Sequence, residues 1–255
     1  MKDITLSLQI YTLRDLFISD PKQALKEAAD IGYKAVEFFT FGGMASGEDL
    51  KKWMDEYGLV CSGVNVNWPD VLPENIEKTF ELLRTLGTDR IAIGSAPVED
   101  LGKRSKMPEI FKVLKFAYEK AKENGFKIGY HTHFTDFKMV DGLSVWDRIF
   151  MEMPEDFLMI LDTGNAFAGM GDSMHYLEEY PGRTPWIHVK PFHVKLGSAT
   201  MFGEDSFDWD ALLKLAIEKG GTDTVVNEYS YFTRKTPVEN ARDCFNAVNE
   251  ILQKL

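Results

Sequence analysis

The sequence predicts an α/β protein built as a single (β/α)8 TIM barrel over residues 1–255, and three observations carry that expectation. Short apolar runs that read as strands alternate along the whole chain with segments that read as helices. The length of 255 residues matches the roughly 250 usual for this fold. Four of the apolar runs end abruptly in His, Asp, His and Glu, at the strand ends where barrel active sites are built.

In chain order the strand candidates are Ile4 to Ile10, Lys34 to Phe39, Leu59 to Val66, Arg90 to Gly94, Lys127 to His133, Phe157 to Leu161, Pro185 to Lys190 and Thr224 to Glu228. Helix starts agree with them. Asp20-Pro21 is an N-cap followed by proline at the first helical position, and Thr236-Pro237-Val238-Glu239 is a capping box with the same proline. Gly32, Gly58, Gly87, Gly125 and Gly220-Gly221 each separate a helix from the next strand, where a left-handed residue ends the helix. Ile110, Val113, Leu114, Ala117 and Ala121 form one apolar helical stripe, and Val238, Ala241, Phe245, Val248 and Leu252 another; both are packing surface. Strict alternation with right-handed crossovers leaves an open doubly wound sheet or a closed barrel. No G-x-G-x-x-G or Walker-type loop follows any strand and no low-complexity linker divides the chain, so the closed barrel is expected.

Composition narrows the partners. With 44% hydrophobic residues a large core is feasible, and a net charge of -11 argues against nucleic acid, whose phosphates demand clustered Lys and Arg. Cys61 and Cys244 read as buried free thiols of a reducing compartment. The start, Met1-Lys2-Asp3-Ile4-Thr5, runs directly into a strand, and no apolar run approaches the roughly 18 residues of a membrane span. A soluble, cytoplasmic protein with a small-molecule ligand is expected, without a membrane partner; self-association into a homo-oligomer stays open.

The run Leu158-Met159-Ile160-Leu161-Asp162-Thr163-Gly164-Asn165 is the plainest strand end: four apolar residues suited to a strand covered on both faces, then a carboxylate, with Gly164 to let the chain turn. A lone Asp there is often an N-cap, and a lone strand-end His is more often a hydrogen-bonded structural residue than a ligand. Four such residues at four successive strand ends converge on one barrel axis, which makes a divalent-metal site the first hypothesis. His131 and His133 would share a face on a regular strand, but at its end the second can turn into the loop; one ligand and one substrate contact is the expectation. His175 lies in a helical run and reads as surface or helix packing, and His193 lies in a loop.

Taken together, Tyr130-His131-Thr132-His133-Phe134, Leu161-Asp162-Thr163-Gly164-Asn165, Ile187-His188-Val189-Lys190 and Asn227-Glu228-Tyr229 resemble, in this order and at these intervals, the sugar phosphate isomerase/epimerase group of the xylose isomerase-like TIM barrels. The opening Leu8-Gln9-Ile10-Tyr11-Thr12-Leu13-Arg14 and the strand Ala35-Val36-Glu37-Phe38 are similar to that group's first two strands. The resemblance implies one divalent metal ion, commonly Mn²⁺, Mg²⁺, Co²⁺ or Zn²⁺, held by His131, Asp162, His188 and Glu228. Many members carry Glu where His131 stands, so the pair of glutamates of the two-carboxylate epimerases is reduced here to Glu228. His133 and Lys190 match positions that contact substrate in relatives; Asn65 and Asn165 stand where His is frequent, and Pro191 replaces an Asp.

What the resemblance implies is a metal-dependent isomerase or epimerase acting on a ketose, a sugar phosphate or a related polyol derivative through an enediolate. In that chemistry Glu228 is the base, Lys190 supplies positive charge to a developing oxyanion, and His133 donates to a hydroxyl or shuttles a proton. Glu37 is placed at the barrel mouth, orienting a sugar hydroxyl or holding a basic neighbour. Asn65 and Asn165 join it as substrate contacts, with Tyr11, Phe39, Trp68, Tyr130 and Phe134 as candidate walls. A dehydratase of the inosose or dehydroshikimate type and a non-catalytic carbohydrate-binding barrel are the alternatives; a DNA-repair nuclease is disfavoured by the charge and by too few His for three metals. Lys195, Gly197 and Arg234 are the obvious phosphate donors of the late loops, too few to favour a phosphorylated substrate.

Overall fold

The computed structural model describes residues 3–40, 45–230 and 234–255; Met1 and Lys2, where the sequence reading begins, lie outside them. Eight strands form the barrel: β1 (Thr5–Gln9), β2 (Ala35–Phe39), β3 (Val60–Val66), β4 (Arg90–Ile93), β5 (Lys127–His131), β6 (Leu158–Ile160), β7 (Trp186–Val189) and β8 (Thr224–Asn227). All pair in parallel in the order β6-β5-β4-β3-β2-β1-β8-β7. The last edge, β6 against β7, is joined by a single parallel bridge between Asp162 and His188, with the His188 N–H donating to the Leu161 carbonyl at 2.8 Å.

The strands fall within two residues of their expected limits. At β5 the chain leaves the sheet after His131 because Asp136 captures it: its Oδ2 accepts the His133 N–H at 2.6 Å and tightens residues 134–137 into a 3-10 turn. A short ribbon, Met139–Val140 against Leu143–Ser144, follows in the same loop. Capping acts as the sequence predicts: Asp20 accepts from Gln23 N ahead of helix Pro21–Ile31, and Thr236 and Glu239 cap helix Pro237–Leu252 reciprocally. Gly58 and Gly87 end their helices at φ 69° and 77°. Cys61 and Cys244 are free and buried, His175 is exposed, and among the described residues no helix is long and apolar enough to cross a membrane.

Strand alternation sorts the side chains into two cores. Leu6, Leu8, Val36, Phe38, Ile91, Ile93, Met159, Leu161, Ile187 and Val189 face outward into the layer under the helices. Ala92, Ile160, Trp186 and Val226 fill the axis. Below them Arg90 lies over the Trp186 ring at 5.2 Å and donates to both Asp223 oxygens at 2.8 Å. On three of these strands the next inward position towards the carboxyl end is polar, namely Asp162, His188 and Glu228, and on β4 it is Gly94.

Gly129 is what lets the axis close below that polar layer. A Cβ there would lie 2.2 Å from the Leu158 carbonyl oxygen and 2.3 Å from Ile160 Cδ1, so the strand pair and the axial side chain both depend on its absence. Gly129→Ala is expected to cost about 2 to 3 kcal/mol in chemical denaturation, the upper range of over-packing. An unchanged midpoint would show that β5 and β6 have slack here.

Candidate metal centre and substrate cavity

Each proposed ligand is the inward residue just above the axial apolar layer: His131 follows Gly129, Asp162 follows Ile160, His188 follows Trp186 and Glu228 follows Val226. All four are buried, and one ligand atom from each lies within 4.8 Å of the others. His131 Nε2 is 3.2 Å from His188 Nδ1, and His188 Nδ1 is 3.0 Å from Glu228 Oε2. His131 Nε2 is 3.8 Å from Asp162 Oδ2.

These atoms fit a cation. Two nitrogens 3.2 Å apart have the spacing that bonds of about 2.0–2.1 Å to one shared ion require. Asp162 divides its carboxylate between two tasks. Oδ1 accepts the Asn165 N–H at 2.7 Å as the cap of helix Thr163–Ala168, while Oδ2 is buried without a hydrogen bond and faces the cluster. Both sequence readings of Asp162, cap and strand-end carboxylate, are therefore met by different atoms. Two imidazoles and two carboxylates form the mixed N/O donor set of borderline divalent ions.

Lys190, one inward step beyond His188, places Nζ 2.7 Å from Glu228 Oε1 and 3.7 Å from Asp162 Oδ2. Its ammonium is held above the usual lysine range: burial opposes the charge, but Glu228 and Asp162 outweigh it. Burial raises Asp162 to about 6 despite Lys190. Glu228 falls well below its ordinary value, because Lys190 and His188 overcome the burial that would raise it. Burial likewise works against protonated His188, yet Glu37 and Glu228 raise it to about 10, while burial and the neighbouring imidazoles push His131 far down.

Above this cluster opens a cavity of about 850 Å³, within the range of small-ligand sites. Asn65, His131, His133, Asn165, Lys190 and Glu228 line it; Asp162 and His188 lie beneath its floor. His133 stands outside the four-ligand cluster, as the turn at β5 dictates, and burial lowers its pKa so that it is neutral at physiological pH. Asn165 is clamped, donating to the Thr132 carbonyl at 2.9 Å while its Oδ1 lies 3.4 Å from Lys190 Nζ. Tyr11, Phe39, Trp68 and Phe134 wall the cavity, but Tyr130 does not: its ring is in the outer core, and its hydroxyl donates to Asp136 at 2.9 Å.

Glu37 does not line the cavity either. It is fully buried below Phe39, with Oε1 2.9 Å from His188 Nε2, so it stands beside a basic neighbour rather than at a sugar hydroxyl. None of Lys195, Gly197 and Arg234 lines the cavity, and Arg234 pairs with Glu204. His193 accepts the N–H groups of Lys195 and Leu196 through Nδ1, away from the cluster. Arg14, named in the sequence only within the Leu8 to Arg14 stretch and given no site role there, sits beyond β1 in a short helix; its guanidinium lies over Tyr11 at 4.7 Å and donates to the Ser230 carbonyl at the cavity wall.

Residues 25–248 match the family model described as xylose isomerase-like TIM barrel. The chain belongs to that family. Comparison with curated protein sequences returns no significant match. Among solved structures, this xylose isomerase-like barrel is similar to a sugar phosphate isomerase/epimerase from Parabacteroides distasonis, at 19% identity over 98% of both chains with a TM-score of 0.81. It is also similar to an L-ribulose 3-epimerase, at 14% identity over 98% and 95% of the chains and a TM-score of 0.73. A D-allulose 3-epimerase from Methylomonas sp. in complex with D-allulose gives 13%, 98% of each chain and 0.70. At these identities the likeness is one of fold.

The protonation states generate a test. A divalent cation entering between His131 and His188 must displace the proton that His188 holds up to about pH 10. Between pH 7 and 9, uptake should release about one proton per ion and tighten about tenfold per pH unit, measured by calorimetry in buffers of different ionisation enthalpy. Uptake without proton release would remove His188 from the ligand set.

Proposed function

We propose that the protein is a divalent-metal-dependent sugar isomerase or epimerase that moves a proton at the carbon beside the carbonyl of a ketose or related polyol derivative. The observation that carries the reading is the convergence of four buried ligand atoms under a sugar-sized cavity into which Glu228, Lys190 and His133 project. Similarity to an L-ribulose 3-epimerase and to a D-allulose 3-epimerase bound to its sugar supports the substrate class.

His131, Asp162, His188 and Glu228 would hold the ion, of Mn²⁺, Mg²⁺, Co²⁺ or Zn²⁺ type. A divalent ion there supplies Lewis acidity to the substrate carbonyl. Glu228 is the one carboxylate among the described residues lining the cavity, and it is the proposed base. In the free protein it is a weak base, because Lys190 sits 2.7 Å away. When a substrate oxygen acquires negative charge and draws the Lys190 ammonium towards itself, Glu228 loses that cation and gains basicity as the proton has to be taken. Lys190 thus steadies the enediolate oxygen, and Asn165 keeps the ammonium aimed. Neutral His133 donates its one N–H to a substrate hydroxyl or relays back the proton that Glu228 has taken. Asn65 and the aromatic walls hold the sugar.

Solvent exchange tests the base. The wild type in deuterated water should wash substrate C–H protons into solvent in step with turnover. Glu228→Gln should lower that exchange by about 10² or more, the scale of removing a general base. Undiminished exchange in metal-loaded Glu228→Gln would pass the role to His133. Release of water would mark a dehydratase instead, and saturable binding without exchange a binding protein.

The same cavity bears on phosphate. Arg14 and Lys190 are its only Arg or Lys side chains among the described residues, and the proposed reaction already engages Lys190 at the substrate oxygen. An unphosphorylated sugar is the proposed substrate. A tenfold or greater preference in kcat/KM for the phosphorylated member of an active sugar pair would overturn this.

A further inference from the structure

Glu37 is a buried carboxylate with no place in the chemistry above. Its position on β2 turns it inward, one step below the cavity-lining Phe39, and its relative exposure is 0%. Such a group has to be paired. Gln9 is one partner: Tyr11 N–H donates to Gln9 Oε1 at 3.2 Å, which fixes the amide and leaves Nε2 to donate to Glu37 Oε1 at 2.7 Å. That neutral bond leaves the charge unmatched. The second partner is His188, whose Nε2 lies 2.9 Å from the same oxygen.

A neutral imidazole carries one N–H, and a carboxylate only accepts, so the ring nitrogen facing the stronger carboxylate claim keeps the proton. His188 has two carboxylate neighbours: Glu228 hydrogen-bonds Nδ1 at 3.0 Å, while Nε2 approaches Glu37 to 2.9 Å without a hydrogen bond, so a cation taken at Nδ1 leaves Glu37 as the only acceptor for the ring proton. Only with the proton on Nε2 does Nδ1 turn a lone pair towards His131, Asp162 and Glu228. Charge points the same way: Glu37, Asp162 and Glu228 against Lys190 leave two formal negative charges, the complement of a divalent ion.

We propose that Glu37, oriented by Gln9, is the positioning residue of the cation site, keeping the His188 proton on Nε2 and bringing the buried cluster to charge balance with a divalent ion. The inference rests on the metal-binding part of the proposed function and not on the reaction. The test is the affinity of Zn²⁺ and Mn²⁺ for wild type, Glu37→Gln and Glu37→Asp, with ¹⁵N NMR of the His188 ring in the Zn²⁺-loaded wild type. Glu37→Gln keeps the shape and removes the charge; it should weaken Zn²⁺ about 10- to 100-fold, the usual cost of losing a partner behind a ligand histidine. Glu37→Asp should recover part of the loss. The wild-type spectrum should show Nε2 protonated and Nδ1 ligated. Affinity of folded Glu37→Gln within twofold of wild type, or ligation of the wild-type ring through Nε2, overturns the proposal; the second readout decides even where the variant does not fold. A wild type that takes up no ion would instead sink the metal reading on which this rests.

Discussion

Three carboxylates in one buried layer of a barrel repel one another and have lost their water, so the layer stands only because cations and proton donors are placed among them. Lys190 is the hinge of that compensation. It lies 2.7 Å from Glu228 but 3.7 Å from Asp162, and the two acids separate accordingly: Glu228 is held ionised, whereas burial carries Asp162 up to about 6. His188 completes the arrangement between Glu37 and Glu228, with an N···O distance of 2.9 Å on one side and 3.0 Å on the other. A cluster balanced in this way can exchange a proton for a cation without rebuilding its surroundings, which is what a metal site in a rigid barrel requires.

The same groups close the barrel. Between β6 and β7 the ladder is reduced to the bridge at Asp162 and His188, and side chains continue it above. Thr163 Oγ1 accepts the Lys190 N–H at 3.0 Å and donates to its carbonyl at 3.1 Å. Gly164 lets that carbonyl come close, since a Cβ there would lie 2.8 Å from it. Its role is close approach rather than the sharp turn expected from sequence, for it sits in the first turn of helix Thr163–Ala168. Seam and site are thus one construction: the contacts that join the last two barrel edges also set the heights of Asp162, His188 and Lys190.

Height separates the ion cluster from the cavity. Asp162, His188 and Glu37 lie under the floor, and His131 and Glu228 are shared between the two levels. The substitution of His at position 131 matters for this reason. An imidazole nitrogen engaged in the cluster has no second lone pair to offer a substrate, whereas each carboxylate oxygen of Glu228 can act separately. Under the proposed function, one cavity-facing carboxylate beside a neutral His133 would be an asymmetric acid–base pair.

By itself the sequence determined the eight strands, the helix caps and the four strand-end residues, because each rests on local information: apolar runs, cap residues, and an alternation that puts every second side chain on the axis. The four strand-end residues needed only that parity. Tertiary structure decided what parity cannot express. In β3 a register shift opposite Val36 and Glu37 puts Cys61 and Val64, three apart, both in the outer core, so strict alternation fails there. Asp136, five residues past His131, took His133 off the strand, and the outward parity of Tyr130 removed it from the cavity. The approach of Glu37 to His188 joins residues on strands that are not neighbours in the sheet. It depends on the barrel's curvature and on side-chain rotamers, and so do the choice of imidazole nitrogen and the division of labour between the two oxygens of Asp162. These are set by packing among eight strands across the axis and carried by no single stretch of the chain.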